Sequence, residues 1–249
     1  MKQLLSCLVV LTLLCSCEDE GIEHCFTTET LQASSQLISS FDTLVVGDYI
    51  QLQLYTSTSS KIEFDDYGLE NGGLQLLQSN QKLEFKVINS CYSVVHHPKV
   101  PVRLYVDQLK VIYNNSAETI SAKDTLHLER LSLISDTNHS NTRLSSGSFD
   151  LTLKCDQLYV QSTGISRFTL RGKAQSMKLG FYSGMGSVYA KDFESDVIDV
   201  FYRSSQHSYL GHTDFIKGEI RSSGDIYLSS LPPEINLTSY YTGQLKVNN

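Results

Sequence analysis

Tryptophan is absent from this chain, proline occurs four times in 249 residues, and no long stretch repeats its apolar residues at helical period. With 14 tyrosines and many Ser, Thr, Val and Leu, such a composition favours strands over helices. Beyond residue 17 no apolar run is long enough to span a bilayer as a helix. No Gly-x-Ser-x-Gly elbow, phosphate loop or dinucleotide fingerprint occurs, so none of those three chemistries is signalled. Positive charge is in short supply. The 20 Lys and Arg against 27 Asp and Glu leave a net charge of −7, and an acidic surface repels phosphate backbones. Nucleic acid is not expected as a partner, and no cofactor is implied.

Cysteine is also scarce, and its placement is informative. Lys2, an apolar stretch from Leu4 to Leu14 and small residues before Cys17 make an export signal. The order Leu14-Cys15-Ser16-Cys17 resembles the bacterial lipobox, in which cleavage precedes the cysteine and its thiol takes a lipid. Residues 1–16 are thus expected to be a lipoprotein signal peptide, and membrane lipid is expected as a partner through Cys17. Glu18-Asp19-Glu20 resembles the acidic tag that directs such proteins to the outer face of the outer membrane. Cell-surface display is expected ahead of a periplasmic location. Of the remaining cysteines, Cys25 and Cys91 are the expected disulfide, since Cys155 lies in a repeat strand where a small buried thiol fits. With no Cys-x-x-Cys and no neighbouring histidine, neither a redox pair nor a zinc site is expected.

Residues 17–37 show little periodicity and read as a lipidated tether, leaving 38–249 as the folded part, with a seam near 98–102 at Pro98 and Pro101. Short strands are predicted over 42–46, 49–55, 61–64, 74–77, 82–88 and 102–106, broken by turn residues such as Gly47-Asp48 and Asn71-Gly72-Gly73. In Ile50-Gln51-Leu52-Gln53-Leu54 strict alternation buries one face and wets the other.

The second half repeats. Gly164, Gly184, Ser204, Gly224 and Gly243 stand 20, 20, 20 and 19 residues apart, each between two short apolar runs. No unit of that size can bury its own apolar residues, whereas stacking equivalent strands at about 4.8 Å buries a continuous column. The pattern predicts an all-β fold: a right-handed parallel β-helix-like solenoid with coils of about 20 residues, preceded by short N-terminal strands. The rival is an antiparallel sandwich in which two hairpins mimic one coil.

The run Val45-Val46-Gly47-Asp48-Tyr49-Ile50-Gln51-Leu52, then Lys61-Ile62-Glu63-Phe64, Leu74-Gln75-Leu76 and Lys82 to Val87, resembles the opening of the putative auto-transporter adhesin, head GIN domain family. The turns at Gly164, Gly184 and Gly224 resemble that family's Gly-Ser-Gly-type turns, although Arg203-Ser204-Ser205 has lost the glycine. The resemblance covers about residues 38 to 247. It implies a pectin-lyase type of architecture on a lipid-anchored or secreted protein of gut-type bacteria, with a role in adhesion and no established catalytic residues.

Candidate chemistry is sparse. Asp192, Glu194, Asp196 and Asp199, with Arg203 following, could form the carboxylate face of a polysaccharide lyase or hydrolase, the alternative to a binding protein. A solvated corner between coils is the plainer reading. His96 and His97 point to opposite faces of a strand, and His207 and His212 have no evident acidic or thiol partners, so no metal site is expected. Tyrosine is the most suggestive side chain. Tyr182 and Tyr202 are twenty apart, as are Tyr189 and Tyr209, so equivalent positions on adjacent coils would stack into rungs that contact a glycan, or a host or envelope protein. Internal packing is the competing use. Asp42-Thr43-Leu44 and Asp124-Thr125-Leu126 resemble O-glycosylation acceptors of gut anaerobes. A third reading is a structural or signalling envelope component facing the periplasm. Oligomerisation is allowed by the open edge of a last coil near Leu237 to Val247.

Overall fold

A computed structural model of the chain describes residues 32–66, 73–88, 99–136 and 146–247. Cys17, Cys25, Cys91, His96 and His97 lie outside these residues. Every regular element among the described residues is a strand. The first nine are β1 (Gln32–Leu37), β2 (Thr43–Val46), β3 (Ile50–Thr56), β4 (Lys61–Asp66), β5 (Leu74–Ser79), β6 (Lys82–Val87), β7 (Val100–Val106), β8 (Val111–Asn114) and β9 (Thr119–Ala122). There follow β10 (Leu126–Ser135), β11 (Ser148–Ser162), β12 (Arg167–Phe181), β13 (Ser187–Ala190), β14 (Phe193–Tyr202), β15 (Ser208–Leu210), β16 (Thr213–Ile220), β17 (Ile226–Leu228), β18 (Glu234–Ser239) and β19 (Leu245–Val247).

Two parallel ladders share the long strands β11 and β12. One runs β6, β2, β8, β10, β11, β12, β14, β16, β18. The other runs β7, β3, β9, β11, β12, β13, β15, β17, β19. At the N-terminal end the pairing turns antiparallel, with β5 on β6, β4 on β7 and β1 on β4. From β10 onward adjacent strands in both ladders are parallel, and no hairpin joins them among the described residues.

Register explains the apolar periodicity. Leu83, Leu44, Ile112, Leu133, Val160, Leu179 and Val200 are successive partners across the first ladder and are all buried. In the second ladder Ile120, Phe149, Phe168 and Val188 form the equivalent buried column, with the Phe149 and Phe168 rings stacked at 5.1 Å. No strand could hide these side chains alone; each apolar column exists only because its neighbours complete it. Partner spacing is not uniform. Leu158, Met177, Ile198, Ile216 and Ile235 are successive partners at intervals of 19, 21, 18 and 19 residues.

Within the long strands alternation breaks once. Asp156 and Gln157 are both exposed between buried Cys155 and Leu158, and Gln175 with Ser176 repeats the slip between Ala174 and Met177. Two successive outward residues mark a bulge, which bends the strand and redirects its buried face.

Two expectations need correcting. Residues 32–37, assigned to the tether, form β1, which pairs antiparallel with β4. Ala33 to Gln36 are exposed, so backbone pairing and not burial makes this strand, and apolar periodicity carried no sign of it. The seam near 98–102 is also absent at its described end: Val100 to Val106 pair without interruption to β3. Pro101 is tolerated because the β4 ladder begins one residue later, at Phe64 with Val102.

The turns justify their small residues. Gly184 has φ +85°, and a Cβ there would sit 2.3 Å from the Gly164 carbonyl oxygen. Ser204 replaces glycine because its buried hydroxyl has work of its own, donating to the Gly186 carbonyl at 2.5 Å and accepting from the Gln206 N–H at 3.2 Å.

Candidate binding face

The short strands β13, β15 and β17 each carry a tyrosine between two buried residues, so the pleat turns those phenols outward. Tyr189, Tyr209 and Tyr227 are direct register partners. Their rings stack, 5.3 Å apart for Tyr189 and Tyr209 and 5.1 Å for Tyr209 and Tyr227, with interplanar angles of 34° and 16°. Cations surround the stack. The Arg167 guanidinium lies 4.8 Å from the Tyr189 centroid, Lys191 Nζ 5.1 Å from that of Tyr209, and Lys246 Nζ 5.6 Å from that of Tyr227. Each aromatic pair adds about 0.5–1.5 kcal/mol beyond its burial, and each exposed cation–ring contact about 0.5–1 kcal/mol, enough to hold the row in one arrangement.

Asp225 anchors one end. Its Oδ2 accepts from Lys246 Nζ at 2.6 Å and from the Tyr227 hydroxyl at 3.3 Å, while Oδ1 accepts from the Gln244 N–H at 2.9 Å. Burial acts to raise the Asp225 pKa, but the Lys246 ammonium and the Gln244 amide together hold the carboxyl below its ordinary value. The same pairing raises Lys246. The His207 Nδ1 accepts from the Asp225 N–H at 2.9 Å, which places the neutral ring's proton on Nε2, and the imidazole stands edge-on to Tyr227.

Other aromatic groups on the surface are neutralised internally. Tyr55 and Tyr105 stack at 4.9 Å, but Glu63 sits among Lys61, Arg103 and the Tyr105 hydroxyl. Arg221 lies over Tyr240 and is paired with Glu219. On the three-tyrosine row the only such carboxylate is at the Tyr227 end. Among the described residues, neither Arg167 nor Lys191 makes a salt bridge.

The other tyrosines separate. Tyr202 is fully buried and does not face Tyr182; its register partner is Phe181, because that coil is 21 residues long and a count of twenty lands one residue off. Its ring packs on Phe181 at 5.3 Å, and its hydroxyl donates to the Gln206 carbonyl at 2.7 Å, which makes it core and removes it as a ligand contact. Tyr182 is exposed and packs on Phe201 at 5.4 Å, its hydroxyl 3.0 Å from that of Tyr159. Tyr227 escaped the count because it follows Tyr209 by 18 residues. The sign of it was the repeated frame, Val188-Tyr189-Ala190, Ser208-Tyr209-Leu210 and Ile226-Tyr227-Leu228.

The carboxylates at 192–199 do not converge. Glu194 is in register with Lys173, and Asp199 lies in register between Lys178 and Lys217 on the face beyond the bulge. Asp196 lines a shallow groove of about 550 Å³ along the bend, with His127, Lys154, Cys155, Asp156 and Lys173. Burial pushes the Cys155 thiol up to about 11, away from thiolate chemistry at neutral pH. His212 is engaged with Ser230 Oγ at 3.0 Å and Asp214 at 3.4 Å, apart from His207. Of the glycosylation triplets, Thr43 lies within β2, and Thr125 is exposed just before β10.

The chain belongs to the family described as putative auto-transporter adhesin, head GIN domain, whose pattern matches residues 40–232. Its fold is similar to that of a putative adhesin from Bacteroides fragilis NCTC 9343, at 17% identity and a TM-score of 0.74 over 89% of this chain and 98% of that one. A putative adhesin from Parabacteroides distasonis ATCC 8503 is similar at 15% identity and a TM-score of 0.64, and a putative lipid binding protein from the same organism at 12% and 0.57, with the same coverages. At such identities the likeness is one of fold alone. No curated protein matches the chain.

Proposed function

We propose that this protein is a lipid-anchored, surface-displayed adhesin that binds without catalysis, and that Tyr189, Tyr209 and Tyr227 with Arg167, Lys191 and Lys246 form its contact face. One observation carries the reading: an ordered aromatic and cationic row lies on the outside of paired strands, where it contributes nothing to the buried columns. Family membership and the names of the similar structures support a surface binding role. The parallel ladders support a solenoid of stacked coils, right-handed by the usual chirality of parallel crossovers. Such a rigid wall, repeated over many molecules on one cell, turns weak contacts into avidity.

In this arrangement residues 1–16 are removed, Cys17 carries the lipid, a short tether follows, and the ladders stand above the outer membrane. A Cys25–Cys91 disulfide completes the proposal. Protease shaving of intact cells should remove the protein, and Cys17→Ala should release it from the membrane fraction. Cells expressing Tyr209→Ala should adhere less to host cells or glycan-coated surfaces than cells with the native chain. Undiminished adhesion at equal surface level would overturn the assignment of the face.

A further inference from the structure

We infer that the ligand of the tyrosine row is a polyanionic glycan, a chain bearing carboxylate or sulfate groups, gripped by phenol edges and cations and not stacked on the rings; this rests on the row being the binding face. Stacking a neutral sugar needs an open ring face, and none is free here. Tyr209 has a tyrosine on either side. Tyr189 has Tyr209 from β15 on one side and Arg167 from the opposite neighbour, β12, on the other. Tyr227 lies between Tyr209 of β15 and Lys246 of β19 in the same way. The stack is therefore capped by a cation at each end, and what it offers outward is a line of phenol hydroxyls about 5 Å apart, the rung spacing of the ladder.

Charge then selects the ligand. Lys246 is compensated by Asp225 at 2.6 Å, whereas Arg167 and Lys191 have no such partner among the described residues. Two uncompensated cations beside a row of hydroxyl donors fit regularly spaced anionic groups, through charge-assisted hydrogen bonds. An extended acidic peptide fits less well. Strands β13, β15 and β17 are each paired on both sides, so no edge remains on which a peptide backbone could add. A polysaccharide must be read through its substituents, which is what hydroxyls and cations do.

The purified full chain is titrated with polygalacturonate, its carboxyl-reduced neutral derivative, chondroitin sulfate and poly-glutamate. Binding to either anionic glycan is expected, weakening as salt rises, and the two anionic arms show whether carboxylate suffices or sulfate is required. The Arg167→Gln/Lys191→Gln double variant should lose about tenfold or more, with the charge-conserving Arg167→Lys/Lys191→Arg pair restoring most of it. Equal binding of the neutral derivative, preference for poly-glutamate, no binding to either anionic glycan, or an unaffected double variant that melts normally would each overturn the inference. If a neutral glycan binds in a Tyr209-dependent way, the face stands and only the anionic ligand is lost. If Tyr209→Ala alters adhesion nowhere, the face itself is wrong.

Discussion

Tyr189 and Tyr209 occupy the same place on adjacent coils, in register and with ring centroids 5.3 Å apart, although nineteen residues of chain run between them. Tyr209 is the middle ring of three, so its loss should cost more at the surface than at either end. Tyr209→Ala removes two stacking contacts of about 0.5–1.5 kcal/mol each and should lower stability by about 1–2 kcal/mol, while reducing adhesion by about tenfold. Tyr209→Phe keeps the stack and deletes one hydroxyl. It should melt like the native chain and lose only part of the binding, which paired thermal and adhesion measurements will separate.

Asn114 is buried with its amide fully used. Nδ2 donates to the Glu118 carbonyl at 3.0 Å and the Ser148 carbonyl at 2.9 Å, and Oδ1 accepts from the Ser116 hydroxyl at 2.7 Å. It joins the turn after β8 to the start of β11, and so ties one coil to the next. Asn114→Leu has similar volume but leaves those groups without partners. A loss of about 3 kcal/mol is expected, read as a lower urea midpoint with an unchanged slope.

Much of this was legible in the chain because stacking imposes a repeat on the sequence. The alternation Ile50-Gln51-Leu52-Gln53-Leu54 marks β3, and Leu52 and Leu54 are buried as it requires. Tyr189 and Tyr209 could be paired because their coil happens to be twenty residues long. Tyr202 and Tyr227 could not, because a bulge or a tightened corner changes the coil length by one or two residues and moves the register with it. Cation placement was illegible for a related reason. Arg167, Lys191 and Lys246 come from three separate segments, and only the ladder brings them to one face.

Gly184 tests the turn stack. Its φ of +85° lies where side chains are strained, and a Cβ would meet the Gly164 carbonyl oxygen of the coil beside it, backbone that cannot move aside. Gly184→Ala should destabilise by about 2 kcal/mol or more. The neighbouring Ser183→Ala loses one exposed hydrogen bond to the Thr163 carbonyl and should stay within about 0.5 kcal/mol of the native chain. Similar midpoints for the two variants would show that the turns are not packed coil on coil.

Tyr202 gives a pH signature to the core. Burial pushes its phenol up to about 12, against the opposing pull of its hydrogen bonds with Ser208 and Ser204. An unfolded tyrosine ionises near pH 10, so below that both states hold the proton and pH has no effect through this group. Between about 10 and 12 the unfolded chain gives up the proton and the folded chain keeps it. The unfolded state then binds fewer protons, and stability falls as pH rises, by about 2–3 kcal/mol across the window. Tyr202→Phe cannot ionise. It should begin about 1–2 kcal/mol less stable at pH 8, since the Gln206 carbonyl and the Ser208 hydroxyl lose their partner. It should then decline less steeply above pH 10, so that the two curves converge. Cys155, raised to about 11 by burial, contributes the same slope to both proteins and cancels in the difference. Urea midpoints measured from pH 8 to 11.5 decide it: parallel curves would mean that the Tyr202 phenol already ionises in the folded chain as readily as in the unfolded one.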